Sequence, residues 1–247
     1  MFVGKGRFIL LLAAVAALPA CEAQRVQPDP FSHTGEVIAL SGGDSGAANA
    51  CFTCHGLDGR GDGNGSPRLA GLDVGYLGRQ LDDYAIGRRK HAQMQAIAKR
   101  LSASDRQAVA AYYAAMPFEP VAASSTPAPA LYSRGDPARG LWSCAQCHGA
   151  NGEGMGPANP PLGGQPAAYL AEQLDKWKKG ERRGDPANMM LAISRRLTAE
   201  EIETLARYSS ALPGVSPNPR SPEASLSARR ADPRNDASAP LPRGAER

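Results

Sequence analysis

Two short segments carry the residues best suited to chemistry: Cys51-Phe52-Thr53-Cys54-His55 and Cys144-Ala145-Gln146-Cys147-His148. Cysteines three apart on a helical turn share a face, and the histidine that follows sits beneath them. This spacing is the attachment pattern of a c-type haem: two thioethers to one porphyrin and one imidazole to its iron. Other readings need partners that the chain does not offer. A zinc knuckle needs two further thiols or imidazoles per site, yet the sequence holds only 5 cysteines and 4 histidines. Thioredoxin-like chemistry needs a βαβ context, and a plain disulfide would leave both adjacent histidines without a role.

The two segments belong to an internal repeat. At an offset of 93 (144 − 51), Pro67, Leu69 and Gly71 meet Pro160, Leu162 and Gly164, and Tyr76-Leu77 and Gln80-Leu81 meet Tyr169-Leu170 and Gln173-Leu174. The second copy then gains three residues around Gly184-Asp185-Pro186, after which Leu101-Ser102 matches Leu197-Thr198. A sixth iron ligand should recur in both copies. Met94 and Met190 do so, each seven residues before that leucine, which predicts His/Met ligation by His55 with Met94 and by His148 with Met190. Met116, Met155 and Met189 have no methionine counterpart, and Met189 is the nearest competitor in register. His91 offers a bis-histidine alternative in the first copy; His33 lies outside the repeat. Pro67 and Pro160 stand where a carbonyl would accept from Nδ1–H of the preceding histidine and fix its ring. The glycine-rich stretches after each motif read as backbone wrapped closely around a cofactor edge rather than as phosphate loops.

The elements that must position these residues are helices. Asp73 is a candidate N-cap ahead of Tyr76, Leu77, Leu81 and Tyr84, matched by Tyr169, Leu170, Leu174 and Trp177. Ser102 with Asp105, and Thr198 with Glu201, have capping-box spacing before further apolar runs, which Pro117 and Pro213 end. No segment alternates as a strand. The expectation is an all-α protein of two tandem haem-wrapping domains, residues 31–118 and 132–213, joined by a Pro/Ala/Ser-rich linker over 119–131. Residues 214–247 have no apolar periodicity and read as a disordered Pro/Ser/Arg tail.

Residues 1–20 read as a secretory signal peptide, with Lys5 and Arg7 ahead of an apolar run too short to span a membrane. Export suits covalent haem attachment. Leu18-Pro19-Ala20-Cys21 resembles a lipobox, making Cys21 a candidate lipid anchor; cleavage after Ala20 or Ala23 is the alternative. Aromatic residues make up only 6%, thin for a protein-only core unless porphyrins fill it. The net charge is +4, with 28 basic and 24 acidic residues interspersed, so a nucleic-acid partner is not indicated. Basic residues over 88–90 and 176–183 are candidates for propionate pairing, a docking patch or a solvated face.

On CFTCHG and CAQCHG, PRLAG and PPLGG, the Tyr-Leu-x-x-Gln-Leu openings and the Met-x6-Leu-[Ser/Thr] segments, the chain resembles the class I dihaem cytochromes c of the cytochrome c4 type. The resemblance runs from near Cys51 to Pro213. It implies two cytochrome c folds packed through their haem edges, two covalent haem c groups, and periplasmic electron shuttling toward a terminal oxidase. Donor and acceptor would be redox proteins such as a quinol–cytochrome c reductase, a terminal oxidase or a dehydrogenase. With both axial positions filled there is no open site for substrate, which favours outer-sphere electron transfer over catalysis. An electron-accepting subunit of a flavin or quinone dehydrogenase is the main alternative, and a dihaem peroxidase a lesser one.

Overall fold

The computed structural model describes residues 34–122 and 124–215. The signal segment, Cys21, His33 and the tail beyond 215 lie outside the described residues. Among the described residues the regular structure consists of ten α-helices and four 3₁₀ turns, with no strand and only isolated β-bridges.

The first repeat holds α1 (Gly35–Ser41), α2 (Phe52–His55), α3 (Val74–Ala85), α4 (Ala92–Arg100) and α5 (Ala103–Ala115). Asp73 caps α3 by accepting from the Tyr76 N–H at 2.9 Å, and α5 opens with a reciprocal box between Ser102 and Asp105. Helix α3 buries Tyr76, Leu77 and Tyr84, together with two polar side chains, Gln80 and Asp83. Helices α1 and α3 both pack on α5, closing a core of Ile38, Leu72, Leu77, Ile97, Val109 and Tyr113.

The second repeat holds α6 (Ala130–Ser133), α7 (Cys144–His148), α8 (Ala167–Lys179), α9 (Met189–Arg196) and α10 (Ala199–Ser210). Thr198 and Glu201 box the start of α10, as Ser102 and Asp105 do for α5. Pro166 stands at the start of α8 and gives it no side-chain cap. Helix α8 packs on both α9 and α10, around Tyr132, Leu141, Leu197, Ile202 and Leu205. In both repeats a glycine follows the histidine with a positive φ, 78° at Gly56 and 82° at Gly149, which lets the chain leave the short helix at a sharp angle.

The repeats are joined by more than the connecting segment. Arg89 and Arg182 form an antiparallel bridge; the Lys90 N–H donates to the Glu181 carbonyl at 2.8 Å, and the Arg183 N–H to that of Arg88 at 2.9 Å. Gln165 accepts from the Arg68 N–H at 3.0 Å and donates back to the Arg68 carbonyl at 2.9 Å. Between the repeats, the Val121 N–H reaches the Pro213 carbonyl, and Phe118 stacks under the Arg68 guanidinium at 3.7 Å.

Candidate functional site

Each repeat encloses an apolar cavity against its Cys-x-x-Cys-His helix. The first, of about 500 Å³, is lined by Cys51, Cys54, His55, Pro67 and Met94; the second, of about 410 Å³, by Cys144, Cys147, His148, Pro160 and Met190. Both volumes fall in the roughly 300–1,000 Å³ range of cofactor pockets. No disulfide joins Cys51, Cys54, Cys144 or Cys147.

Helix α2 turns His55 inward, and its Nδ1 donates to the Pro67 carbonyl at 2.9 Å; in α7, His148 Nδ1 donates to the Pro160 carbonyl at 2.8 Å. A carbonyl only accepts, so the hydrogen sits on Nδ1 and the lone pair on Nε2. Burial holds both rings below their ordinary pKa, favouring that neutral form.

The methionines sit at the start of their helices, each held by a different acceptor. The Met94 N–H donates to Nδ1 of His91 at 3.3 Å, and the Met190 N–H to Oδ2 of Asp185 at 2.7 Å. The three-residue insertion therefore supplies a carboxylate where the first repeat uses an imidazole. It also brings α9 in through Ala187 and Asn188, both at φ 55°. Met189 and Met190 both line the second cavity, Met189 with 42% of its surface exposed. Met116 packs in the first core and Met155 is exposed.

The wall shared by the two cavities was not legible as a site in the sequence. Tyr76, Gln80, Tyr169 and Gln173 line both cavities; Arg89 lines the first and Arg182 the second. Arg89 donates to Gln80 (2.9 Å), Tyr169 (2.9 Å) and Gln173 (2.7 Å), and Arg182 to Gln173 (3.0 Å), Tyr76 (3.0 Å) and Gln80 (2.9 Å). The pattern is a pseudo-two-fold cross-brace. Its signal was present, since Arg89/Arg182, Gln80/Gln173 and Tyr76/Tyr169 all recur at the offset of 93. Both arginines are 4% exposed, so the solvated-face reading does not hold for Arg89 and Arg182.

These observations test whether haem fits. Two buried cations face the cavities, bonded only to neutral groups among the described residues, and Nε of Arg89 has no partner. Buried unpaired charge is costly, so the cavities call for an anionic as well as apolar ligand. Haem has both properties, an apolar ring and two propionates. Among the described residues no three His, Cys, Asp or Glu side chains gather as a metal-binding group, which leaves a zinc knuckle without donors.

Residues 42–116 and 136–211 each match the cytochrome c family model. The chain belongs to the cytochrome c family. It is 42% identical to the thiosulfate dehydrogenase electron acceptor of Stutzerimonas stutzeri, over 70% of this chain and 84% of that protein. It is 33% identical to cytochrome c4 of Pseudomonas aeruginosa, over 69% and 90%. Among solved structures it resembles reduced cytochrome c4 from Pseudomonas stutzeri (TM-score 0.60, 33% identity, 66% of this chain and 93% of that one). It also resembles thiosulfate dehydrogenase from Marichromatium purpuratum (TM-score 0.64, 37% identity, 81% of this chain); there it spans about half, 48%, of the longer protein. The chain is thus a dihaem class I cytochrome c of the c4 type, with two tandem all-α cytochrome c domains and two covalently bound haem c groups. It is an electron carrier and not itself an enzyme.

Proposed function

We propose that this cytochrome works in the periplasm as the electron acceptor of a dehydrogenase, a thiosulfate dehydrogenase above all, and passes single electrons on toward a terminal oxidase. The observation that carries the donor assignment is the 42% identity, over 84% of its length, to a protein named for that role. The cytochrome c4 relatives favour the onward step, and a quinol–cytochrome c reductase is the alternative donor they suggest. In this reading residues 1–20 are the export signal and Cys21 a lipid anchor to a membrane. The domains run over 31–118 and 132–213, with 119–131 as linker and 214–247 as tail.

When bound, each haem supplies a one-electron ferric/ferrous couple at fairly high potential. Cys51 and Cys54 hold the first porphyrin and Cys144 and Cys147 the second, through thioethers. His55 with Met94 would hold the first iron, and His148 with Met190 the second. The Pro67 and Pro160 carbonyls keep each imidazole in its ligating tautomer and orientation. The apolar linings exclude water and limit reorganisation when charge changes. Arg89 and Arg182 would pair with the propionates, and their cross-brace holds the two domains together.

The test is reduction of the oxidised, fully haem-loaded protein by purified thiosulfate dehydrogenase, followed by the visible spectrum. Two electrons taken up per chain, only when thiosulfate is present, is the expected result. Reduction by a quinol–cytochrome c reductase but not by the dehydrogenase would overturn the donor assignment.

A further inference from the structure

Asn-Gly, the dipeptide in which an asparagine side chain most readily cyclises onto the following nitrogen, occurs twice, at Asn64-Gly65 and Asn151-Gly152. Each lies in the glycine-rich stretch that follows a Cys-x-x-Cys-His helix. Glycine suits the reaction because it has no side chain to block the approach and its backbone turns freely. The two sites are held in opposite ways.

Asn151-Gly152 is locked. Gly152 is buried, its N–H donates to the Gly149 carbonyl at 3.3 Å, and its own carbonyl accepts from the N–H groups of Leu162 (2.9 Å) and Gly163 (3.1 Å). The Asn151 N–H donates to Glu153 Oε2 at 2.8 Å, and the Asn151 carbonyl accepts from the Gly214 N–H at 2.8 Å. A Cβ on Gly152 would meet the Gly163 nitrogen at 2.8 Å and Leu212 at 3.1 Å. The nitrogen that would attack is thus engaged, and its peptide plane has no room to turn.

Asn64-Gly65 is open. Both residues are exposed, and a Cβ at Gly63 or Gly65 would meet nothing within 4 Å. Among the described residues neither the Gly65 N–H nor the Asn64 side-chain amide has a hydrogen-bond partner. Only the flanks are tied: Asp62 Oδ1 accepts from the N–H groups of Asn64 at 2.9 Å and Ser66 at 2.8 Å. At the matching place the second repeat has Pro157.

We propose that Asn64 is a site of self-catalysed deamidation, which adds one negative charge beside the first cavity. The Gly65 nitrogen attacks Asn64 Cγ and forms a C–N bond, closing a succinimide ring. The Cγ–Nδ2 bond breaks, and ammonia leaves with the proton that the Gly65 nitrogen gives up. Water then opens the ring at either carbonyl, yielding aspartate or isoaspartate, with no oxidant or cofactor involved. The change bears on the site because Gly65, Ser66 and Pro67 line the first cavity and the Pro67 carbonyl is the acceptor for His55 Nδ1. The new carboxylate shares a turn with Asp62, and like charges so close repel, which loosens the turn ahead of Pro67.

Incubating the full-length, haem-loaded protein in mildly alkaline buffer tests this, followed by ion-exchange chromatography and peptide mass. A more acidic species should accumulate, with a gain of one mass unit in the tryptic peptide 61–68 and none at residues 151–152. Its aspartyl fraction should co-elute with Asn64→Asp, and its isoaspartyl fraction should accept a methyl group from an isoaspartyl methyltransferase. Gly65→Ala should slow the change several-fold and Asn64→Gln should stop it, whereas Asn151→Gln should leave its rate unaltered. In urea the two sites should react alike, because the fold is what separates them. Reaction at Asn151 as fast as at Asn64 in the folded protein would overturn the assignment. So would an unchanged 61–68 segment under conditions in which the free peptide of that sequence deamidates.

Discussion

Arg89 and Arg182 face each other across the domain boundary, and each guanidinium reaches past its own glutamine to the glutamine and tyrosine of the other domain. Four hydrogen bonds thus join two units whose apolar cores are separate, and two more tie each guanidinium to the glutamine of its own domain. Because every acceptor is buried, none is replaced by water when a guanidinium is removed.

Arg182→Met should therefore strand the Tyr76 hydroxyl and weaken the hold on both glutamines, at a cost of about 1–3 kcal/mol. Arg89→Met should behave alike. The double variant should cost less than the sum of the singles, because the two share Gln80 and Gln173. Guanidinium denaturation of the haem-loaded protein checks this, and strictly additive losses would show that the brace does not act as a unit.

Glycines at the domain junction and on a free helix face should respond in opposite directions. The space where a Cβ of Gly184 would sit is taken by the Asp83 carboxylate, which is 2% exposed and paired with Arg88 at 3.1 Å. Gly184→Ala should displace Asp83 and cost about 1–3 kcal/mol through overpacking. Gly78, within α3, has nothing near its missing Cβ. Gly78→Ala should gain about 0.5–1 kcal/mol from the better helix former. Thermal melts of the two variants provide the comparison.

Acid should act on the second domain through Arg139. This side chain pairs with Asp136 and Glu201 at 2.7 Å each, holding both carboxyls below their usual range. A depressed carboxylate stabilises the fold above its unfolded pKa, about 3.8 for Asp and 4.5 for Glu, and that stability is lost as pH falls through the folded values. The wild-type melting temperature should thus drop below about pH 4.5. Arg139→Gln should melt lower at pH 7, decline less with acid, and converge with wild type near the bottom of the range. Added salt should narrow the gap, because the three groups are partly exposed.

What was legible in the sequence is what depends on spacing. Ser102 with Asp105 and Thr198 with Glu201 are local contacts, so residue type and distance along the chain suffice to find them. The repeat likewise exposed Met94 and Met190 as counterparts. The shared wall was hidden because Arg89, Gln80 and their equivalents are polar and resemble surface residues until the other domain covers them. Arg68 was hidden in the same way: in Pro-Arg-Leu-Ala-Gly it resembles a loop cation, yet its partners are Gly163 and Gln165, some 95 residues on. The insertion at 184–186 was visible as a gap in the alignment of the repeats. That it delivers Asp185 to the Met190 N–H and Gly184 to Asp83 depends on tertiary packing that no local pattern encodes.

His91 provides the sharpest test of the ligand register. It stands at the N-cap of α4, its Nδ1 accepting from the Met94 N–H and its ring edge-on to Tyr84 at 6.3 Å. An imidazole accepting at Nδ1 carries its hydrogen on Nε2, the nitrogen it would need to offer the first iron. As a cap, it is replaceable by a shorter acceptor. His91→Asn should therefore keep the Met-to-ferric charge-transfer band of both centres, since asparagine is among the best N-cap residues. Met94→Ala should remove the first centre's share of that band, and Met190→Ala the second's, while leaving two covalent haems per chain by alkaline pyridine spectrum. Loss of the first centre's low-spin spectrum in His91→Asn, with Met94→Ala silent, would assign the first iron to His55 and His91 and confine methionine ligation to the second domain.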